Sequence, residues 1–278
     1  MIRYINKKFN TIGEMLEFYH LSKTNIYKLI SGGNINVNDI IVKDKNYNIK
    51  ENDIIVIDDK ILKKDSYVPW NIKLDILYED EDILIVYKYE NMLVHPDGNT
   101  NETLINAVAS YYKGKDIVFE HLHRLDYETK GMVVFSKNVL AHSYLSYQWE
   151  KSEVVKHYIA KCEGKFKVKD GIIDEPIAND RHFNNKYRVA KSGKDAKTIY
   201  KVLDYKDGIS TVDIEIIGGR RHQIRVHLSY INHPIVGDKI YGNKKTGSDL
   251  MLKFYKIEFI HPRTFDEFTF EINKELWG

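Results

Sequence analysis

Between residues 73 and 270 this 278-residue chain carries six extended apolar runs against only three helical patterns, an imbalance that restricts its fold more than any other feature. The runs are DILIVY (82–87), MVVFS (132–136), HYIAKC (157–162), KTIYKVLDY (197–205), STVDIEII (210–217) and FYKIEFIHP (254–262). They are rich in the β-branched and aromatic residues that suit a pleated, half-buried surface. The helical patterns are TLINAVASYY (103–112), VLAHSYLSYQWE (139–150) and HQIRVHLSYI (222–231), the last opened by a Gly-Gly-Arg-Arg turn. Strands far outnumber the helices between them. The expected fold is therefore α+β, with a large mixed or antiparallel sheet and flanking helices.

The first 62 residues read differently. Two short helical patterns, TIGEMLEFYH (11–20) and KTNIYKLIS (23–31), stop at Gly32-Gly33. Extended pieces follow at 35–37, 39–42 and 53–58, separated by polar turns. This pattern predicts a small α/β unit over 1–62. Periodicity is lost around Pro69, which puts a linker at 63–72 and a second domain at 73–278. The single cysteine, Cys162, excludes an internal disulfide framework and a thiolate metal cluster, and reads as a small buried hydrophobe. No apolar run reaches roughly 18 residues, and the N-terminal stretch lacks the core of a signal peptide. A cytoplasmic protein without membrane contact is expected.

Charge is informative by place. The net charge is +2. Residues 181–201 carry seven Lys or Arg against one Asp, whereas 75–82 carry five acids and no base. A basic segment within a neutral domain suits a face that meets a polyanion, although a solvated Lys-rich loop has the same composition.

Three segments hold the residues that could do chemistry: HLHRLDYETKGMVVFSKN (121–138), VVKHYIAKCEG (154–164) and GGRRHQIRVHLSYINHPIVGDKIYG (218–242). Asp126 is a carboxylate on a charged loop just ahead of an apolar strand. Arg225 falls one helical turn beyond Arg221, and this spacing predicts that both face the same way. An Asp126–Arg225 pair would keep the carboxylate ionised and usable as a nucleophile or base. Tyr158 offers a flat ring with a phenol at its tip, suited to stacking on a base. The same residues could equally form a structural ion pair. His95, His121, His123, His222 and His227, gathered with Asp126, would suit a metal hydrolase. However, His121 and His123 alternate on an extended segment with no acidic partner at defined spacing, so no metal is expected.

The ordered motifs resemble those of the RluA-type RNA pseudouridine synthases. The family's HRLDxxTxG, followed by an apolar strand, is matched at 123–138, and its KxYxA by Lys156, Tyr158 and Ala160. The motif GRxHQIRxHLxxxxxPIxGDxxYG is matched at 219–242, and an upstream Val-His-Pro element appears in YKYENMLVHPDG (87–98). The likeness spans about 75–270 in the family's order. Tyr89, Lys130 and Asn232 depart from the usual pattern. The N-terminal unit resembles the S-four RNA-binding domain through GGNINVNDIIV and ENDIIVID, with only Lys23 and Lys28 as bases on its second helical pattern.

The resemblance implies a pseudouridine synthase catalytic domain that isomerises uridine in RNA. It implies Asp126 as the catalytic aspartate, Arg225 as its partner, and Tyr158 as a stacking tyrosine and candidate general base. Arg124 would displace the target base, with His123 and Leu228 on the substrate side, Leu228 lining the pocket. Lys186, Arg188, Arg220 and Arg221 are candidates for the RNA backbone. No cofactor is implied, because isomerisation has no net redox change or group transfer. The expected partner is RNA, large-subunit ribosomal RNA ahead of transfer RNA, and the expected state is a monomer. A non-catalytic RNA-binding or ribosome assembly factor of the same fold is the rival of another class.

Overall fold

The computed structural model describes residues 1–62, 67–183, 185–242 and 248–274. Strand β1 (Ile2–Ile5) precedes helices α1 (Ile12–Phe18) and α2 (Lys23–Ser31), and β2 (Ile35–Val37), β3 (Ile40–Ile41) and β4 (Ile54–Ile57) complete a four-stranded sheet in the order β1-β4-β2-β3. Both helices begin on side-chain caps: Thr11 Oγ1 accepts from Glu14 N–H at 3.1 Å and Ser22 Oγ from Asn25 N–H at 3.2 Å. The Gly-Gly stop works as the sequence suggests. Gly33 turns left-handed (φ 66°), and the Asn34 amide closes back on the Leu29 carbonyl at 2.9 Å. Met15, Leu16, Leu29, Ile35, Ile55 and Ile57 are buried between the helices and the sheet.

The rest of the chain builds one large sheet. Its strands are β5 (Asp75–Glu79), β6 (Ile83–Lys88), β7 (Glu120–His121), β8 (Lys130–Ser136), β9 (Val155–Glu163), β10 (Asp170–Asp174), β13 (Lys197–Lys206), β14 (Ile209–Ile217), β15 (Leu252–Ile260) and β16 (Glu267–Glu271). The main order is β10-β13-β14-β9-β15-β8-β6-β5, with β16 on β15 and β7 on β8. The β15–β8 pair is parallel and its neighbours are antiparallel, so the sheet is mixed. Helices α3 (Leu104–Tyr111), α4 (Val139–Glu150) and α5 (Gln223–Tyr230) flank it, and a separate hairpin pairs β11 (Ile177–Asn179) with β12 (Tyr187–Val189). This is the α+β architecture expected. All six apolar runs lie in strands, whereas β1, β5, β7, β10, β11, β12 and β16 carry no such run. Strand β5 ends the main strand order opposite β10, and its five residues include two acids. Half-exposed and paired through the backbone, it has no apolar alternation to betray it.

The two units share a packed boundary. Leu140 of α4 enters the N-terminal core, beside Tyr144 and Phe265. The buried Asp59 carboxylate accepts from Val139 N–H at 3.1 Å, at the start of α4, and the Tyr19 hydroxyl donates to the Pro262 carbonyl at 2.9 Å. Of the expected linker, residues 63–66 lie outside the described residues. Beyond them the Tyr67 hydroxyl donates to Glu120 and the Trp70 amide to the Asn106 carbonyl. Among the described residues no helix is long and apolar enough to cross a membrane.

Gly131, the glycine of the HRLD segment, has a packing reason. It pairs with Phe254 in the parallel β8–β15 register at φ 123°. A Cβ there would lie 2.2 Å from the Phe254 carbonyl oxygen, a backbone atom that cannot swing aside. Gly131→Ala is expected to lower unfolding free energy by about 2–4 kcal/mol, read by urea denaturation. A cost near zero would mean that β8 and β15 are not so closely paired.

Candidate active site

A cleft opens where the loop before β8, the middle of β9 and the start of α5 converge. Its walls include Arg124, Asp126, Thr129, Tyr158, His222 and Arg225. The loop alternates. Leu125 is buried and anchors it to the core, Tyr127 is exposed, and the Asp126 side chain between them keeps 25 % of its surface. A turn from Asp126 C=O to Thr129 N–H (3.0 Å) tightens the loop. Below it lies Lys88, fully buried, whose Nζ donates to the carbonyls of Tyr89 (2.9 Å) and Tyr127 (3.1 Å). Burial drives the Lys88 ammonium down to about 7, against the pull of the Asp126 and Glu90 charges.

Arg225 lies behind Asp126, 2 % exposed. Its Nη1 is 3.7 Å from Asp126 Oδ2, an ion pair without a tight hydrogen bond. Its stronger bonds go elsewhere. Nε and Nη2 grip Asp238 in a two-point contact at 2.8 Å each, and Nη2 also reaches Glu128 at 3.0 Å. Burial works against the Arg225 charge, but Asp238, Asp126 and Glu128 outweigh it and raise its pKa. The Asp238 carboxyl, with a side chain 0 % exposed, also loses solvation on burial, yet Arg225 and the amides of Tyr241 and Ile240 hold it below the usual range. The guanidinium thus stands on Asp238 and offers its remaining edge to Asp126.

Tyr158 comes from β9, across the cleft. Its ring stacks on Phe254 at 4.7 Å and 23°. Burial, and secondarily the Asp126 charge, push its phenol above the ordinary value, so the free site holds it protonated. In that state it is a flat wall and a donor, and serving as a base would require its surroundings to change. Arg124 is exposed at the mouth, with Nη1 3.2 Å from His95 Nε2.

Several expectations need correcting. Arg221 and Arg225 do not share a face. His222 adopts a left-handed backbone (φ 57°), and α5 begins only at Gln223, so Arg221 stays exposed in the turn while Arg225 points inward. Leu228 is 0 % exposed within the large core and is not part of the cleft wall. His123 turns inward too. Its Nε2 accepts from Val134 N–H at 3.1 Å and its ring stacks near Trp149, and burial pushes its pKa down to about 3. His227 is bound to Thr198 and to the Glu175 carbonyl. Among the described residues no group of three or more His, Cys, Asp or Glu is arranged to hold a metal ion.

The basic segment supplies strand β12 of the β11–β12 hairpin and the start of β13, beside α5. Arg188 is exposed and Lys186 Nζ lies over the Phe183 and Tyr241 rings. Arg221 covers the Tyr187 ring at 5.7 Å, and Arg220 Nε donates to the Asp195 carbonyl at 2.9 Å. Asp238, Glu128, His222, Tyr241 and Lys88 were not assigned from sequence. Only the motif text, which contains His222, Asp238 and Tyr241, could have flagged any of them, since nothing in spacing ties these three to Asp126.

An ionisable carboxylate, a guanidinium behind it and an aromatic wall, beside a basic hairpin, define a site for chemistry on a nucleic-acid base. Comparison with known proteins agrees. Residues 82–230 match the RNA pseudouridylate synthase family model and residues 17–55 match the S4 domain model. An uncharacterized RNA pseudouridine synthase of Bacillus subtilis, YhcT, is 39 % identical over 226 residues, covering 78 % of this chain and 74 % of that protein. A ribosomal large subunit pseudouridine synthase D of Buchnera aphidicola is 36 % identical over 242 residues, 84 % of this chain and 73 % of that protein. Human RNA Pseudouridylate Synthase Domain Containing 1 shares the fold, with a TM-score of 0.63 at 24 % identity over 72 % of this chain and 83 % of its own. The chain belongs to the RNA pseudouridylate synthase family and carries an N-terminal S4 domain. It is an RNA pseudouridine synthase.

Proposed function

We propose that Asp126 is the group that opens the reaction, and that the substrate is a uridine of large-subunit ribosomal RNA. One observation carries the first part: among the described residues lining the cleft, Asp126 is the only carboxylate. Glu128 and Asp238 are already engaged by Arg225. Asp126 promotes cleavage of the bond between ribose C1′ and uracil N1. The uracil then turns, C5 bonds to C1′, the C5 proton leaves and N1 takes one up. Arg225 holds the carboxylate, and Tyr158 stacks on the turning base. Arg124 at the mouth displaces the base from its neighbours, the step any enzyme acting on a stacked base requires. Nothing in this balance needs a redox partner or a group donor.

The substrate reading is supported by relatives named ribosomal large subunit pseudouridine synthase D and by the S4 domain. We take residues 1–62 as the RNA-binding unit, 63–72 as the connection and 73–278 as the catalytic unit, acting as a cytoplasmic monomer. Carbodiimide labelling with primer extension, on RNA from parent and gene-deleted cells, tests the assignment. One large-subunit uridine is expected to lose its signal on deletion. Loss in transfer RNA with ribosomal RNA unchanged would overturn the substrate.

The hairpin supports RNA binding by phosphate contact, which positions the strand without reading it. Replacing Lys186 and Arg188 together by Ala is expected to weaken RNA binding and to flatten the slope of log affinity against log salt by about 1.5. The rate at saturating RNA is expected to stay put. An unchanged salt slope would remove the hairpin from the interface.

A further inference from the structure

His222 sits where a helix cap would sit, but it does not cap. It immediately precedes α5 in a left-handed backbone (φ 57°, ψ 20°), and its side chain makes no hydrogen bond to the helix. A residue other than glycine is uncommon in that region, and such strain persists where surrounding contacts hold it. Here the consequence is direction: the turn swings the imidazole into the cleft wall, 8 % exposed, between Tyr241 and Asp126.

The protons on this ring can be assigned by counting donors. The Tyr187 amide donates to the Tyr241 hydroxyl oxygen at 2.9 Å. That hydroxyl has one proton of its own, and among the described residues its other hydrogen-bond partner is His222 Nδ1, at 2.9 Å. Burial raises the Tyr241 phenol to about 12, so the proton is present at neutral pH. Donation to Nδ1 is the arrangement that gives this buried hydroxyl proton an acceptor, and a neutral His222 then carries its own proton on Nε2. Burial first, with Arg225 and Arg221 adding to it against Asp126, lowers the imidazole from its ordinary value and favours the neutral ring. The Nε2 atom faces Asp126 Oδ2 at 3.9 Å. That is too long for a hydrogen bond in the free site, where functional contacts are often loose and shorten on loading.

We propose that His222 is a positioning residue for Asp126, presenting a neutral Nε2–H to its carboxylate with the tautomer fixed by Tyr241 and, through it, by strand β12 of the basic hairpin. The proposal rests on Asp126 as the reactive group. A neutral donor orients the carboxylate without cancelling its charge, which a protonated histidine would do. It also complements Arg225, whose bonds to Asp238 and Glu128 leave it only a 3.7 Å approach to Asp126. The relay begins on the Tyr187 backbone, so the carboxylate's orientation depends on the hairpin resting against α5.

The test compares His222→Gln with His222→Met in the full-length chain. Both replacements are unbranched and bear the same backbone cost, but only Gln can place an N–H where Nε2 was. Tritium release from RNA of gene-deleted cells labelled with 5-tritiated uridine, under single-turnover conditions, gives the rate, and filter binding of the same RNA gives affinity. Met is expected to slow release by about tenfold or more with affinity unchanged, and Gln to stay within about threefold of the parent. Histidine 15N spectra of the unmodified chain supply a readout independent of folding in the variants. They are expected to show His222 protonated on Nε2, with that preference lost in Tyr241→Phe. An Nδ1-protonated ring, or equal rates for Met and Gln beside an inactive Asp126→Asn chain, overturns the role of His222 alone. A fully active Asp126→Asn chain overturns the reading of the site on which it rests.

Discussion

Asp126→Asn is expected to cut tritium release by about a thousandfold or more while the protein stays folded with nearly its parent stability. The two halves of that result have different causes. Asn keeps the shape of Asp but lacks the charge and basicity that the bond-breaking step draws on. Stability barely changes because Asp126 carries little structural load. It is partly exposed, its ion-pair partner Arg225 stands off at 3.7 Å, and the neutral His222 ring lies 3.9 Å away. Arg225 meanwhile remains satisfied by Asp238 and Glu128. A purely structural ion pair would give the opposite pattern, with stability lost and any activity defect merely following it. Urea denaturation beside the tritium assay separates the two, and a variant that is destabilised yet active per folded molecule would sink the catalytic assignment.

Arg225→Met is expected to do the larger structural damage. The substitution leaves the Asp238 carboxylate, fully buried, without its two-point partner. Stranding a buried charge in this way costs about 3–5 kcal/mol. The sign of the pH dependence follows. In the parent, the Asp238 carboxyl is held below its ordinary value of 3.8, so its pairing stabilises the fold above that pH and is lost as pH falls through the lower folded value. In the variant the lone buried carboxyl prefers to be protonated, so stability recovers as pH falls toward the acid range. The gap between parent and variant should therefore narrow between pH 7 and pH 4 in urea titrations. Adding Asp238→Asn to Arg225→Met should return part of the lost stability but none of the activity. A gap that is constant with pH would mean that Asp238 does not depend on Arg225.

The sequence made much of the fold legible because apolar periodicity is a local signal. The six long runs are read to within about two residues and α4 to the residue, since burial shows locally, as alternation in β9 and β14 and as an unbroken apolar run in β6 and β8. Strands β5, β10 and β12 escaped because backbone pairing holds them in place while their side chains remain half-exposed, which leaves no pattern to read. The helical turn expected between Arg221 and Arg225 failed for a different reason. A left-handed residue at 222 ends the turn, and its side chain is bound to Tyr241, 19 residues further along the chain.

By itself, then, the sequence determined the sheet-rich catalytic architecture, the small N-terminal unit, and Asp126, Arg225 and Tyr158 as the residues to examine. The tertiary structure decided what each of them touches. It gave Arg225 to Asp238 first and to Asp126 second, sent Leu228 into the core, bound His123 to the β8 backbone, and brought His222 to the carboxylate. Motif order records which residues are present along the chain. The groups that face Asp126 come from 96 and 99 residues further along the chain, His222 and Arg225, and only the folded sheet and α5 bring them within about 4 Å.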